Sequence, residues 1–479
     1  MIVRDEERNL PECLDSCAGL FDEVVVVDTG SVDSTVELAR ALGAQVSYFP
    51  WCDDFAAARN ESLRHASGDW IFWMDADDRL NLENRERLST LLLRLPDARV
   101  GYTMEQRSIW HGPGGGASRV DQLRLFPVFP GLQWEYRVHE QVAGSLNAAG
   151  IALRRANVVI DHVGRAAPDQ VQRKMERDLR MLELESRERP GDPLTRLKVG
   201  WTLLELGRLE AAEESLVSLS RELLPGAVAA RVGYLLASVR GKLGRLEEAI
   251  EAARAGLRIA PEFVDLRFLM GNLLAATDHA EAAAQVFRAL LEAGRADADR
   301  PLPAGDPELR IEFGSRAEGL TGYHAHHNLG VLCQQAGRHE EAEQHWRLAL
   351  AEAPMLASAR EGLTALLLSQ SRFTDLAKLA EGVPFGPESL VLRARSCLAQ
   401  AQWASARSLL EQAVGVAPEA AGAWAFLAEA LYRDGAPLVE VERALERTLE
   451  LCPAHTQARL ILQHLREIQA LPCAGRRLE

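Results

Sequence analysis

Apolar residues follow two rhythms along this chain. Up to about residue 170, short apolar runs alternate with helix-like segments; from Pro193 onward, alanine- and leucine-rich helices recur at a fixed spacing. Val24-Val25-Val26-Val27 is a β-branched run that stops at Asp28, followed by Thr29-Gly30-Ser31 as a turn and Asp33 to Ala41 as a helix. A second strand around Gln45 to Phe49 leads through Asp53-Asp54-Phe55 into a helix from Ala56 to Arg64, which feeds the run Trp70-Ile71-Phe72-Trp73-Met74. Strand, helix, strand in this order predicts crossover units and a mostly parallel sheet. Two of these strands bring acids to one sheet edge, Asp28 from the first and Asp75 and Asp77 from the second. The carboxyl ends of strands are where open α/β sheets bind ligands, so the convergence predicts a cleft.

The second rhythm is a repeat. Gly207-Arg208-Leu209-Glu210-Ala211-Ala212, Gly244-Arg245-Leu246-Glu247-Glu248-Ala249, His279-Ala280-Glu281-Ala282-Ala283 and Gly337-Arg338-His339-Glu340-Glu341-Ala342 share one turn followed by a small residue. A larger apolar residue follows four positions on (Leu216, Phe287, Trp346), and Pro261, Pro354, Pro418 and Pro453 close units. Ala249 and Ala283 stand 34 positions apart. This resembles the tetratricopeptide repeat, whose paired helices stack because neither buries its apolar face alone. About six or seven repeats are expected, with an insertion at 291–322 and a degenerate unit near 357–386. The expected boundaries are a sheet domain over 1–185, repeats over 186–469 and a frayed tail over 470–479.

With 479 residues the chain exceeds what one hydrophobic core normally supports, in keeping with two domains. A net charge of −15 offers nucleic acid no general attraction. No 18-residue apolar segment occurs, and the start, Met1-Ile2-Val3-Arg4-Asp5-Glu6-Glu7-Arg8, turns acidic at once, so neither a membrane span nor a signal peptide is expected and the location is read as cytoplasmic. The seven cysteines form no CxxC pair, which argues against a disulfide framework or a structural zinc site.

The chemistry concentrates where the run at 70–74 ends in Asp75-Ala76-Asp77. Two carboxylates at a strand end suit a hard divalent ion such as Mg²⁺ or Mn²⁺ and leave positions for diphosphate oxygens. A lone DxD is usually a solvated turn; the buried strand before it and Asp28 beside it reverse that reading. Asp28 is either an Asx-turn acid or an acceptor for a uracil imide or nucleoside hydroxyl. Arg59, followed by Asn60 on the helix before the acids, suits a bidentate clamp on a carboxylate or diphosphate. Downstream, Trp134-Glu135-Tyr136-Arg137-Val138-His139-Glu140 offers rings for a sugar face, with Glu140 as general base and His139 as its orienting neighbour. His162, in Ile160-Asp161-His162-Val163-Gly164, is placed to complete a metal shell or touch diphosphate. Trp110-His111-Gly112-Pro113-Gly114-Gly115-Gly116 lacks the P-loop pattern and reads as a mobile acceptor-side lid.

Read in order, Met1 to Leu10, Asp22 to Thr35, Asp54-Phe55-Ala56-Ala57-Ala58-Arg59-Asn60 and Asp75-Ala76-Asp77-Asp78 resemble a family 2 glycosyltransferase of the α/β GT-A fold, a Rossmann-like mixed sheet. With Trp134…His139-Glu140, Asp161-His162-Val163-Gly164 and Lys174…Arg177…Leu182-Glu183, the chain is similar to members carrying an all-α repeat solenoid, some of which modify peptides. The resemblance implies a nucleotide-diphosphate sugar, UDP-sugar favoured, lying between Asp28 and a Mn²⁺ or Mg²⁺ held around Asp77. Asp75 then lies nearer the ribose or a metal-bound water, Glu140 stands as base of an inverting displacement, and His162 lies near the diphosphate. The chain departs from the family twice. Asp78 stands where repeat-bearing relatives usually carry Glu, a position expected outside the metal shell; and the family's first strand begins several residues before Met1.

The expected activity is transfer of the sugar to a peptide, protein or saccharide acceptor, a peptide or protein acceptor being held by the repeats. The rival from another class is a repeat-based binding scaffold whose first domain is weak or inactive. A nucleotidyltransferase would use a similar acidic edge and release pyrophosphate.

Overall fold

The computed structural model describes residues 1–95, 100–110, 116–164, 168–297 and 316–470. It divides into two compact units, Met1–Ala325 and His326–Glu479.

The first unit opens with a parallel three-stranded sheet of β1 (Ile2–Val3), β2 (Val25–Asp28) and β3 (Gln45–Tyr48), with β2 central. The crossovers are α1 (Leu10–Ser16) and α2 (Thr35–Ala41), as the β-branched run and the polar turn after it require. Next comes α3 (Phe55–His65), started by Asp54, whose Oδ1 accepts the Ala57 N–H at 2.8 Å. This N-cap phases the helix so that Arg59 points inward, 5% exposed.

The run at 70–74 forms β4 (Trp70–Phe72), followed by β5 (Asp78–Arg79), α4 (Leu82–Leu92), β6 (Val100–Trp110), β7 (Gly116–Pro127), α5 (Ala143–Ala148) and β8 (Ala152–His162). These strands make a second sheet in the order β4-β7-β6-β8-β5. Here the expectation of a mostly parallel sheet gives way. β4 pairs antiparallel with β7, β6 and β7 form a long antiparallel hairpin, β6 and β8 run parallel, and β5 pairs antiparallel with β8. The cause is the hairpin: strands of 11 and 12 residues with only five positions of sequence between them are too close for a parallel crossover, and β4 docks on the free edge of β7.

A long helix, α6 (Pro168–Glu188), leads into helical hairpins from α7 (Pro193–Glu205) to α12 (Ala280–Asp297). Much of the expected insertion, 298–315, lies outside the described residues, as do 111–115 of the expected lid and the tail from 471. The last residues of the insertion form β9 (Arg316–Ala317), which pairs with β7.

The described residues of the second unit are helical hairpins, from Tyr323–Gln335, which spans its boundary, to Thr456–Ala470. In both units the repeat turn has one construction. A left-handed residue ends the first helix, and the next N–H reaches back to a carbonyl five positions earlier: Arg208 to Leu203 (2.9 Å), Arg245 to Arg240 (2.9 Å), Arg338 to Cys333 (2.8 Å). Glycine fills the left-handed position at 207, 244 and 337, but Asp278, Ser371 and Ala401 adopt it with φ of 57°. The unit near 357–386 therefore keeps the repeat geometry after losing its glycine.

Among the described residues, no helix is long and apolar enough to cross a membrane.

Candidate metal centre

The acids arrive because β4 runs out. Trp73 N–H still bonds Arg124 O at 3.2 Å, Met74 is buried, and the chain then turns through Asp75-Ala76-Asp77, closed by Asp78 N–H on Asp75 O at 3.1 Å. Asp78 opens β5 opposite His162 of β8. That pairing carries the histidine across 84 residues of sequence to the acids. His162 Nδ1 lies 3.1 Å from Asp78 Oδ1, and Nε2 lies 3.3 Å from Asp77 Oδ2. One ligand atom each of Asp75, Asp77, Asp78 and His162 falls within 4.8 Å of the others. The structure thus brings together all three residues expected to hold metal and adds Asp78, which was expected outside the shell.

Asp78 belongs there because of Arg124. Both side chains are fully buried, Arg124 Nη1 donating to Asp78 Oδ2 at 2.7 Å and to Trp73 O at 3.2 Å, with the guanidinium 3.8 Å from the Trp73 ring centroid. Asp75 N–H also donates to Asp78 Oδ2 at 2.9 Å. Burial opposes the Asp78 charge, but Arg124 and the His162 hydrogen bond outweigh it and hold its pKa low. Asp77 has no such support: burial, and repulsion from Asp75 and Asp78, push its pKa up against the pull of His162. For His162 burial works against protonation, yet the Asp78 hydrogen bond and the surrounding carboxylates raise its pKa. Three carboxylates and an imidazole brought together in this way form a donor set compatible with coordination of a metal ion. A sequence signal for Arg124 existed, a lone arginine within Leu123-Arg124-Leu125-Phe126.

Asp75 also belongs to a second cluster. Arg59 Nη2 donates to Asp75 Oδ1 at 2.9 Å and Nε to Glu140 Oε1 at 2.5 Å, so one guanidinium joins the acid turn to the expected base. Its planar face lies 4.3 Å from the Trp73 ring centroid and 5.1 Å from that of Trp134. Asn60 makes both backbone hydrogen bonds of Trp134, accepting its N–H at 2.8 Å and donating to its carbonyl at 2.9 Å. Trp134, expected to wall a sugar face, is 5% exposed and sits edge-on to Trp73 and Phe126, backing Arg59.

Glu140 is presented by a pinched loop. Glu135 and Gln141 exchange both backbone hydrogen bonds, at 2.8 and 2.9 Å, and between them Tyr136 (φ 71°) and His139 (φ 54°) adopt left-handed conformations. Each costs about 1–2 kcal/mol for a residue with a side chain. The loop turns Glu140 toward Arg59 and His139 toward α7, where its ring stacks on Trp201 at 5.6 Å. Burial, with Lys198, Lys174 and Arg177 nearby, pushes the His139 pKa down to about 3. Below its ordinary pKa of 6.5 the unfolded chain therefore binds more protons than the native state, and stability is lost as pH falls from 6.5 toward about 3. Thermal midpoints of wild type and His139→Phe, which keeps the ring stack, should diverge over that window with wild type falling faster, and run parallel above it. Parallel curves throughout would show an imidazole free to protonate.

Asp28 is 3% exposed, its carboxylate accepting the N–H groups of Gly30 at 3.1 Å and Ser31 at 3.2 Å. It closes the turn after β2 as an Asx acid. A cavity of about 320 Å³ lies between β2 and β4, lined by Val24, Val25, Trp70, Phe72 and Arg59 but by none of the four clustered ligands.

Residues 1–126 match the family model Glycosyl transferase family 2, and residues 197–262, 234–299 and 391–456 match a tetratricopeptide repeat model. The chain joins a family 2 glycosyltransferase-like domain to tetratricopeptide repeats. The glycosyltransferase-like domain has the mixed β-sheet of a GT-A-like fold, and the repeats are all-α. A TPR repeat-containing protein of Synechococcus elongatus is 33% identical over 271 residues, 54% of this chain and 65% of that protein. The SPbeta prophage-derived glycosyltransferase SunS of Bacillus subtilis is 27% identical over 147 residues, 29% of this chain and 33% of that protein. The chain thus spans less than two thirds of either relative. Among solved structures, yeast Tom70 aligns with a TM-score of 0.45 and 14% identity, over 64% of this chain and 62% of that one.

Proposed function

We propose that this protein is a metal-dependent inverting glycosyltransferase that moves a sugar from a nucleotide-diphosphate sugar, UDP-sugar favoured, to a peptide, protein or saccharide acceptor. The observation that carries this reading is the sharing of Asp75 between the acid–histidine cluster and the Arg59–Glu140 pair, which sets a cation-holding group beside a base in a domain matching Glycosyl transferase family 2. The SunS relative, a glycosyltransferase by name, is consistent with it.

Asp77 and His162, with Asp75, hold the cation. A divalent ion there supplies positive charge to the departing diphosphate. Asp28, whose carboxylate has acceptor capacity beyond its two backbone bonds, takes a nucleoside N–H or hydroxyl. Arg59 holds Glu140 in place, and Asn60 and Trp134 fix the loop and the face against which Arg59 lies. In the transfer the acceptor atom bonds the anomeric carbon, the bond from that carbon to the diphosphate oxygen breaks, and the acceptor proton passes to Glu140. The repeats hold a peptide or protein acceptor.

The test is nucleotide release from a panel of nucleotide sugars with Mn²⁺, with and without acceptor peptides. Glu140→Gln keeps a hydrogen-bond acceptor for Arg59 but no longer takes a proton. It should slow transfer by roughly 10²–10⁴-fold while donor affinity stays near wild type. No donor binding across the panel would overturn the enzymatic reading in favour of a repeat scaffold, and pyrophosphate release from nucleoside triphosphate plus sugar phosphate would mark a nucleotidyltransferase.

A further inference from the structure

Gly164 lies two residues beyond His162, where the chain leaves β8. We propose that Gly164 is a positioning residue of the metal centre: because it has no side chain, the Asp77 carboxylate can lie against the backbone at 164 and face His162. The inference rests on the metal reading above.

A Cβ built on Gly164 would stand 2.2 Å from Asp77 Oδ2, 3.3 Å from Asp77 Cγ and 3.4 Å from His162 Nε2. The first distance is far inside van der Waals contact, so a side chain at 164 forces something to move. The Asp77 backbone is held in place. Its carbonyl accepts the Val163 N–H at 2.9 Å, and its neighbour Asp78 is locked in register opposite His162. The Asp77 side chain is the soft element, partly exposed and able to change rotamer. The atom that gives way is therefore a metal-ligand oxygen, and it gives way by turning from His162.

Conformation does not explain this glycine. Gly164 is not among the left-handed glycines, unlike Gly30 after β2 or Gly207 in a repeat turn, so alanine fits its backbone. Other described glycines meet different obstacles, such as Leu216 at Gly200 or Trp346 at Gly330 and Gly362, which belong to helix packing. Among the described glycines, only at 164 would a side chain strike a member of the acid–histidine cluster.

The experiment is Mn²⁺ titration of the full chain, followed by electron paramagnetic resonance, for wild type, Gly164→Ala and Val163→Ala, with thermal midpoints of each. Val163 is exposed and its backbone N–H bonds the Asp77 carbonyl, a bond that alanine keeps, so its alanine variant controls for disturbance of the loop. Gly164→Ala is expected to weaken Mn²⁺ binding by roughly 10–100-fold with its thermal midpoint near wild type, and Val163→Ala to bind as wild type does. Equal affinity in wild type and Gly164→Ala, or equal loss in both alanine variants, overturns the role of Gly164 and leaves the metal reading standing. If wild type takes up no Mn²⁺, the metal reading fails and this inference with it. Should Gly164→Ala melt early, the Asp77→Ala/Gly164→Ala double variant decides. A defect that disappears when the carboxylate is removed supports the proposal, and one that persists overturns it.

Discussion

Replacing Asp77 with alanine is expected to reduce metal-dependent transfer by about 10³-fold or more while leaving the protein at least as heat-stable as wild type without metal. The loss of rate follows from removing a cation ligand, because charge stabilisation of a leaving diphosphate amounts to several kcal/mol and each 1.4 kcal/mol is about tenfold. The stability result follows from crowding. Burial and the carboxylates of Asp75 and Asp78 push the Asp77 pKa up, so at neutral pH the fold holds this charge against its preference. Removing it relieves the repulsion, and His162 keeps its bond to Asp78. Nucleotide release with Mn²⁺ measures the first effect and a thermal melt in chelator the second. Turnover within tenfold of wild type would mean that the ion is held elsewhere, and a clear drop in the melt would mean that Asp77 supports the fold.

The same physics explains what could be read from the sequence. The strand at 70–72 and the acids after it were legible because a buried run followed by carboxylates is a local pattern, as was the helix that carries Arg59, though not the Asp54 cap that aims it. The pairing of β4 with β7 was not, because it depends on a hairpin formed some 30 to 55 residues later along the chain. His162 was read as a metal-shell candidate from the short run before it and from the resemblance; what brings it to the acids is the register of β5 on β8, which no window of sequence contains. Asp78, expected outside the metal shell, lies within the acid–histidine cluster, and its place there could be read only by recognising the lone arginine in an apolar strand, Arg124, as its partner. Trp134 was legible as a large ring near Glu140, but which way it faced depended on Asn60 gripping its backbone from another element. In the repeats, glycine marked only some turns, since Ser371 and Ala401 accept the left-handed conformation and its strain in exchange for the same backbone hydrogen bond.

Arg124→Met should be the most destabilising single change near the site, and it acts opposite to Asp77→Ala. It keeps the length and apolar contacts of the side chain but leaves Asp78 fully buried with its charge uncompensated except by His162. Breaking a buried ion pair from one side costs about 3–5 kcal/mol, because the remaining charge keeps its desolvation penalty without its partner. Urea unfolding of the full chain, followed by tryptophan emission, reads the change directly because Trp73 lies against the Arg124 guanidinium. Removing both charges together, as Arg124→Met with Asp78→Leu, should recover most of the stability, since a desolvated pair replaced by apolar groups is often neutral. That double variant should nevertheless stay inactive, because Asp78 also fixes His162 through Nδ1 and the acid turn through the Asp75 N–H. If Arg124→Met costs less than about 1 kcal/mol, the pair is not the buried brace described above, and Asp78 joins the cluster for a different reason.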